Sequence, residues 1–306
     1  MRITVVGGAG FIGSHLVDRM LAEGHAIDVV DDLSTGSLAN LSQARSVGGD
    51  LTIHHLDATS DEFASLIGMR RPDCIFQLGL FPRAPAFRHD VRALARGFEA
   101  ALVTLEAARR SGVGKVVVAL PATALYGHPA AASLPIKEGD LEPRGVRGVV
   151  ARAVVDSLAT YRERHMIEFS ALALSSVYGP RQPSGGGVVP AFLAAVDGGD
   201  DAEPAEMHGD GRQTRDLLFV DDAVDALVRS ATRGSGLVIN VGTGEQTPIS
   251  VLWDRIAGGR AAVPPRHVAP RSDELVRFAV SPVRARIHLG WSPWTDLDDG
   301  LDRTRS

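Results

Sequence analysis

The chemistry-bearing residues of this chain gather at its amino end. Gly7, Gly10 and Gly13 stand at G-x-x-G-x-x-G spacing, directly behind the apolar run Arg2-Ile3-Thr4-Val5-Val6 and directly before a helical pattern. Glycines so spaced permit a tight turn and let the backbone approach a pyrophosphate, whose charge is met by the N–H groups and dipole of the helix start. The strand–turn–helix context turns a common glycine pattern into a dinucleotide site. Gly7, Gly10, Phe11, Ile12 and Gly13 are therefore candidate cofactor contacts. A second apolar run, Ala26-Ile27-Asp28-Val29-Val30, ends in Asp31-Asp32, and Asp31 lies 18 residues past Gly13. An acid at that register accepts hydrogen bonds from adenosine ribose hydroxyls and repels a 2′-phosphate. No arginine follows closely, so NAD(H) is favoured, with NADP(H) left open. Asp57, in Leu56-Asp57-Ala58, either reaches the adenine edge or caps a turn.

For these groups to converge, strands and helices must alternate. Residues 52–56, 74–78, 115–120 and 169–174 read as further strands, and apolar spacing predicts helices over 91–110 and 146–165, with the first helix beginning at Ser14. Such alternation implies an α/β fold of Rossmann type, a doubly wound parallel sheet with ligands beyond the carboxyl ends of its strands. After Tyr178-Gly179-Pro180, glycine-rich stretches and a Pro- and Arg-rich tail change the texture. Residues 1–178 are read as a dinucleotide-binding lobe, with return segments near 217–242, and residues 179–306 as a smaller α/β substrate lobe.

Composition narrows the partners. A formal net charge of −5 over 306 residues gives no electrostatic support for nucleic acid or an anionic membrane. No apolar run approaches the roughly 18 residues of a membrane span. The single cysteine, Cys74, excludes an intramolecular disulfide and fits a reducing cytosol, and the first strand at residue 2 leaves no room for a signal peptide, so a cytoplasmic location is expected. His54, His55, His89 and His128 lack metal-ligand spacing, and no metal is assigned.

Longer stretches carry a resemblance. Val6 to Leu16, Val30-Asp31-Asp32-Leu33-Ser34-Thr35-Gly36, Tyr126-Gly127, Val177-Tyr178-Gly179-Pro180-Arg181-Gln182, residues 209–216, Phe219-Val220-Asp221-Asp222 and Leu289-Gly290-Trp291-Ser292-Pro293 occur in one order along the chain. In these the chain resembles the extended short-chain dehydrogenase/reductases, in the NAD-dependent epimerase/dehydratase group typified by UDP-glucose 4-epimerase. The resemblance implies that Asp32, Leu33, Ser34 and Gly36 form the ribose turn. It also implies that Ala58, Leu78, Gly79, Leu80 and Ser175 line the cofactor, that Arg215 and Arg271 hold a nucleotide diphosphate, and that Tyr126 and Tyr178 are structural. By analogy alone it implies a homodimer through two helices per subunit, the 146–165 helix among them.

The reaction half departs from that pattern. The family's Tyr-x-x-x-Lys places two side chains on one helix face, the tyrosine to exchange a proton and the lysine to hold ribose. Here the matching positions are Arg147 and Ala151. The family's Ser or Thr four residues before Tyr-Gly falls at Ala122, with Thr123 one place off. Its His beside the nicotinamide becomes Gln77, its helix asparagine Gly97, and its sugar-binding Arg-x-x-Asn the stretch Ala173 to Ser176. Thr123 and Arg147 are the remaining catalytic candidates. Thr123 would donate to a developing alkoxide. Arg147 would stabilise an oxyanion, since a guanidinium does not exchange protons in the usual way. The plain alternatives are a loop threonine and a surface arginine.

A kept cofactor end and a rewritten reaction end lead us to expect an atypical NAD(P)H-dependent ketoreductase acting on a small ketone substrate. Its substrate would be a polycyclic aromatic polyketide whose own neighbouring hydroxyl or water supplies the proton. Atypical angucyclinone ketoreductases of antibiotic biosynthesis are similar in this respect. Two alternatives stand beside it. One is a nucleoside diphosphate sugar epimerase/dehydratase, favoured by Arg215 and Arg271; the other is a non-catalytic NAD-binding sensor or partner protein.

Overall fold

A computed structural model describes residues 1–81, 90–139, 141–143, 145–198, 203–259, 263–270 and 275–305. Seven strands form one parallel sheet: β1 (Arg2–Val6), β2 (Ala26–Asp31), β3 (Leu51–His55), β4 (Cys74–Gln77), β5 (Lys115–Pro121), β6 (Glu168–Leu174) and β7 (Leu237–Val241). Their order is β7-β6-β5-β4-β1-β2-β3. The chain therefore starts in the middle, winds outward through β2 and β3, then reverses through β4, and the crevice at that reversal is where an open α/β sheet takes its ligand.

The central strands are apolar on both faces because helices cover both. Ile3, Val5, Cys74, Phe76, Val117, Leu172 and Leu174 point into one core, packed under the helices Phe11–Ala22 (α1), Val188–Asp197 (α5), Val220–Ser230 (α6) and Ile249–Ala257 (α7). Val6, Ile75, Val116, Val118, Ala171 and Ala173 point into the other, under Asp61–Arg70 (α2), Val91–Ser111 (α3) and Gly145–His165 (α4). The alternation is the period of two expected of strands. Cys74 is wholly buried, and burial pushes its thiol up to about 12, so it packs as a small hydrophobe.

The first helix begins at Phe11, three residues before the start read at Ser14. A glycine within a helical pattern reads as loop, yet Gly13 lies inside α1, where a small residue is demanded by its neighbours. α2 is capped by Ser60, whose hydroxyl accepts from the Phe63 N–H, and α3 by Asp90, which accepts from the Arg92 N–H.

Beyond β6 the chain makes three short ladders. Ser176–Tyr178 pairs with Leu217–Phe219 and Glu206–His208 with Arg266–Val268, both parallel; Thr214–Arg215 pairs antiparallel with Thr247–Pro248. β7 then pairs with β6 and returns to the main sheet. Two buried carboxylates tie these pieces together. Asp216 accepts from the N–H groups of Thr243, Gly244 and Val280 and from the Thr243 hydroxyl. Asp222 accepts from the N–H groups of Trp294 and Thr295, while its own carbonyl takes the indole N–H of the buried Trp291. Among the described residues, no helix is long and apolar enough to cross a membrane.

Candidate functional site

The glycine turn is built by exclusion. Gly7 sits at φ +78°, and a Cβ there would lie 3.0 Å from the Gly79 nitrogen. A Cβ on Gly13 would stand 2.1 Å from the Gly7 carbonyl oxygen. Gly10 begins α1; among the described residues no side chain caps it, and the first turn holds no acidic residue. The N–H groups of that turn are thus left for an anion. The bare cradle and the uncapped helix start fit a dinucleotide pyrophosphate, held by Gly10, Phe11, Ile12 and Gly13.

Asp31, at the end of β2, closes the cradle on the side away from Gly79. Its Oδ2 accepts from the Ala9 N–H at 2.9 Å and its Oδ1 from the Leu33 N–H at 2.9 Å. Burial pushes the Asp31 carboxyl above the usual range, while the two backbone donors pull it back. A Cβ on Gly36 would lie 2.9 Å from Asp31 Oδ1, and Asn40 Nδ2 donates to the Ala9 carbonyl at 2.8 Å. The turn that holds Leu33, Ser34 and Gly36 is therefore folded onto the glycine loop. Asp32 stays exposed and accepts from the Ser34 N–H and hydroxyl. Asp57 accepts from the N–H and hydroxyl of Thr59 at 2.8 Å, the turn-capping arrangement, with Ala58 half-buried between them. If Asp31 also receives a ribose, Asp31→Ala should weaken NADH binding at least several-fold more than NADPH binding, because only NADPH loses a repulsion. Equal weakening in fluorescence titrations would separate Asp31 from the ribose.

The turn after β4 forms the opposite wall. Leu78 donates to the Val6 carbonyl at 3.0 Å, Gly79 abuts Gly7, and a Cβ on Gly97 would stand 2.1 Å from the Leu80 carbonyl oxygen. At Gly97 the backbone of this turn fills the room a side chain would take. Ser175 follows β6, with β5 and β4 between that strand and β1, and its buried Oγ has no hydrogen-bond partner among the described residues.

The positions read as the reaction end lie just after β5 and on α4. Ala122 and Ala151, fully buried, belong to the apolar core under α4. Thr123 is exposed on the helical turn Ala122–Tyr126. That turn abuts α4, since a Cβ on Gly148 would lie 2.8 Å from the Ala124 carbonyl oxygen. Arg147 reaches across to the turn after β4. Its guanidinium carbon lies 5.3 Å over the Phe81 ring, and Nη2 is 3.5 Å from the Phe81 carbonyl oxygen. Tyr126 donates to Asn240 Oδ1 at 2.6 Å, and burial pushes both it and Tyr178 well above the ordinary phenol range. Among the described residues no group of three metal-ligating side chains occurs. Arg271 and His89 lie outside the described residues.

A cleft of about 500 Å³ opens beside this end of the sheet, lined in part by Ser176, Gln182, Gly187, Glu206, His208 and Arg215. Arg215 Nη1 donates to the carbonyls of Thr214 and Leu275, which fixes the guanidinium on the cleft wall. The cleft is tied to the cofactor helix. His15 of α1 donates from Nε2 to the Pro180 carbonyl at 3.0 Å, and Asp18 pairs with Arg181 at 2.7 Å. Burial pushes the His15 imidazolium down, in keeping with a neutral ring. Next in the chain, Gln182 donates to the carbonyls of Val177 and Gly186 on the cleft side.

The model of the NAD dependent epimerase/dehydratase family matches residues 3–242. The chain belongs to this family. It is 37% identical to the UDP-glucose 4-epimerase of Mycolicibacterium smegmatis over 99% of this chain and 97% of that one. It is 30% identical to a putative UDP-glucose 4-epimerase of Methanocaldococcus jannaschii, over 98% and 96%. The solved UDP-glucose 4-epimerase of Thermotoga maritima, with UDP-glucose, superposes with a TM-score of 0.89 at 29% identity, covering 99% and 97%. The fold of this NAD-dependent family member is thus the family's own.

Proposed function

We propose that this family member is an NAD-dependent enzyme that exchanges hydride with a nucleoside diphosphate sugar, without a Tyr/Lys acid–base pair. The observation that carries the reading is the cleft with Arg215 on its wall, joined to the cofactor helix through His15 and Asp18. A guanidinium on the cleft wall carries the planar charge that matches phosphate oxygens. The names of the relatives, UDP-glucose 4-epimerases among them, support the same substrate class and favour this alternative over the first-rank expectation of a polyketide substrate. NAD, when bound, accepts or returns the hydride at its nicotinamide. Thr123 supplies a hydroxyl donor to the substrate oxygen, and Arg147 a fixed positive charge that does not exchange a proton. The substrate hydroxyl that loses hydride would give its proton to water, and water would return a proton to the same oxygen when the hydride comes back. Titration calorimetry with UDP-glucose on the NAD-loaded protein tests the reading. Arg215→Ala should weaken binding at least about ten-fold, some 1.4 kcal/mol, with NAD affinity unchanged. No heat with any nucleoside diphosphate sugar would count against it.

Reduction of a polycyclic aromatic ketone is a second reading, favoured by Arg147 and Ala151 at the positions where the resemblance puts the acid–base pair. A carbonyl already hydrogen-bonded to the substrate's own hydroxyl needs no side-chain proton donor. NADH oxidation followed at 340 nm against both substrate classes separates the readings. Tight NAD binding with no turnover on either class would favour a sensor.

A further inference from the structure

Gln77 is the last residue of β4 and is 1% exposed. A buried side-chain amide must be hydrogen-bonded or it costs stability. Its Oε1 accepts from the Gly79 N–H at 3.1 Å, and its Nε2 donates to Thr104 Oγ1, on α3, at 2.9 Å. Thr104 in turn donates its hydroxyl proton to the Ala100 carbonyl at 2.7 Å. The chain of bonds has one polarity, running from the Gly79 N–H through the amide and the hydroxyl to a helix carbonyl. Turning the amide over would set its NH2 against the Gly79 N–H, donor to donor. The arrangement therefore fixes one orientation of Gln77 and one position for Gly79.

That position matters because of what Gly79 touches. Its nitrogen and Cα would lie 3.0 and 3.2 Å from a Cβ on Gly7. The next carbonyl, of Leu80, is seated on Gly97 of the same helix. Two consecutive points of the turn are thus fastened to α3, one through a side-chain bridge and one through backbone contact. We propose that Gln77 is a positioning residue for the dinucleotide: bridged to Thr104, it holds the 78–80 turn against Gly7, so that α3 sets one wall of the cofactor cradle. The inference rests on the NAD site and not on the nucleotide sugar reading.

The test is Gln77→Met, which keeps the length and volume and removes both bonds, with Thr104→Val and Thr104→Ser at the far end of the bridge. NAD dissociation constants, the emission of bound NADH and thermal midpoints are measured on the full chain. Gln77→Met should weaken NAD about ten-fold or more and move NADH emission toward that of the free cofactor. Thr104→Val should do the same to a smaller extent, and Thr104→Ser, which restores the hydroxyl, should bind NAD within about two-fold of the parent. Parent-like NAD affinity in a folded Gln77→Met overturns the proposal. So does an affinity loss shared equally by Thr104→Val and Thr104→Ser, since loss of packing alone would then account for it. If Gln77→Met does not fold, the valine–serine pair alone decides, and equal affinities sink the idea.

Discussion

Gly13→Ala is expected to remove measurable NAD binding while leaving a folded protein. The new Cβ would stand 2.1 Å from the Gly7 carbonyl oxygen and 2.8 Å from the Gly8 Cα, and both are backbone atoms with no rotamer to yield. Either α1 backs away from the turn or the turn opens. Leu16, Val17 and Met20 hold α1 into the core beneath it, so the movement is resisted along the helix. Overpacking of this kind costs about 1–3 kcal/mol. The same displacement takes the first-turn N–H groups off the pyrophosphate, and a loss of about 100-fold or more in affinity follows. Gly10→Ala is the internal comparison: its nearest contact is the Gly7 oxygen at 3.2 Å, and a much smaller loss is expected. Calorimetric NAD titrations of the two variants give the ratio. Comparable affinities for both would mean that the Gly13–Gly7 contact does not shape the cradle.

Asp216→Ala should be the most damaging single change to stability. The carboxylate is wholly buried and takes four donors from two segments, Thr243 and Gly244 after β7, and Val280 near the carboxyl end. Removing it leaves the buried Val280 N–H, the half-buried N–H groups of Thr243 and Gly244 and the Thr243 hydroxyl without this acceptor. Breaking such an arrangement from one side costs about 3–5 kcal/mol. For a chain of this size that corresponds to a fall of roughly 10 °C in thermal midpoint. Asp216→Asn keeps one carbonyl oxygen but sets an NH2 among donors, and should fall between the two. A midpoint within about 2 °C of the parent for Asp216→Ala would show that water or a neighbouring carbonyl satisfies these groups instead.

The parts of the molecule legible in the sequence are those with a strong local signal. β1, β5 and β6 are runs of Val, Ile, Ala and Leu buried on both faces, and their limits fall within a residue or two of the reading. Asp31 and the three glycines were legible because register and spacing are themselves the mechanism. The start of α1 was not, since Gly13 is helical for a reason outside the helix, the Gly7 oxygen against it. The ladders at Glu206–His208 and Thr214–Arg215 are too short to show any period. Gln77 and Gly97 carry no local signal either: one amide at a strand end and one glycine in a helix acquire meaning only from Gly79 and Leu80 opposite. Asp57 had two readings, and its bonds to Thr59 display the turn cap.

Gly97 also bears on how this chain can change with time. The carbonyl of Leu80 occupies the place of any side chain at position 97, so the family's asparagine cannot be restored there while the turn keeps its course. Ala151 and Ala122 are likewise sealed into the apolar core, where a returning lysine or serine would arrive without a partner. A side chain at position 97 must therefore move backbone first, and each such substitution is unfavourable by itself. Position 97 and the 78–80 turn are thus coupled: a larger side chain at the one is compatible only with a shifted backbone at the other.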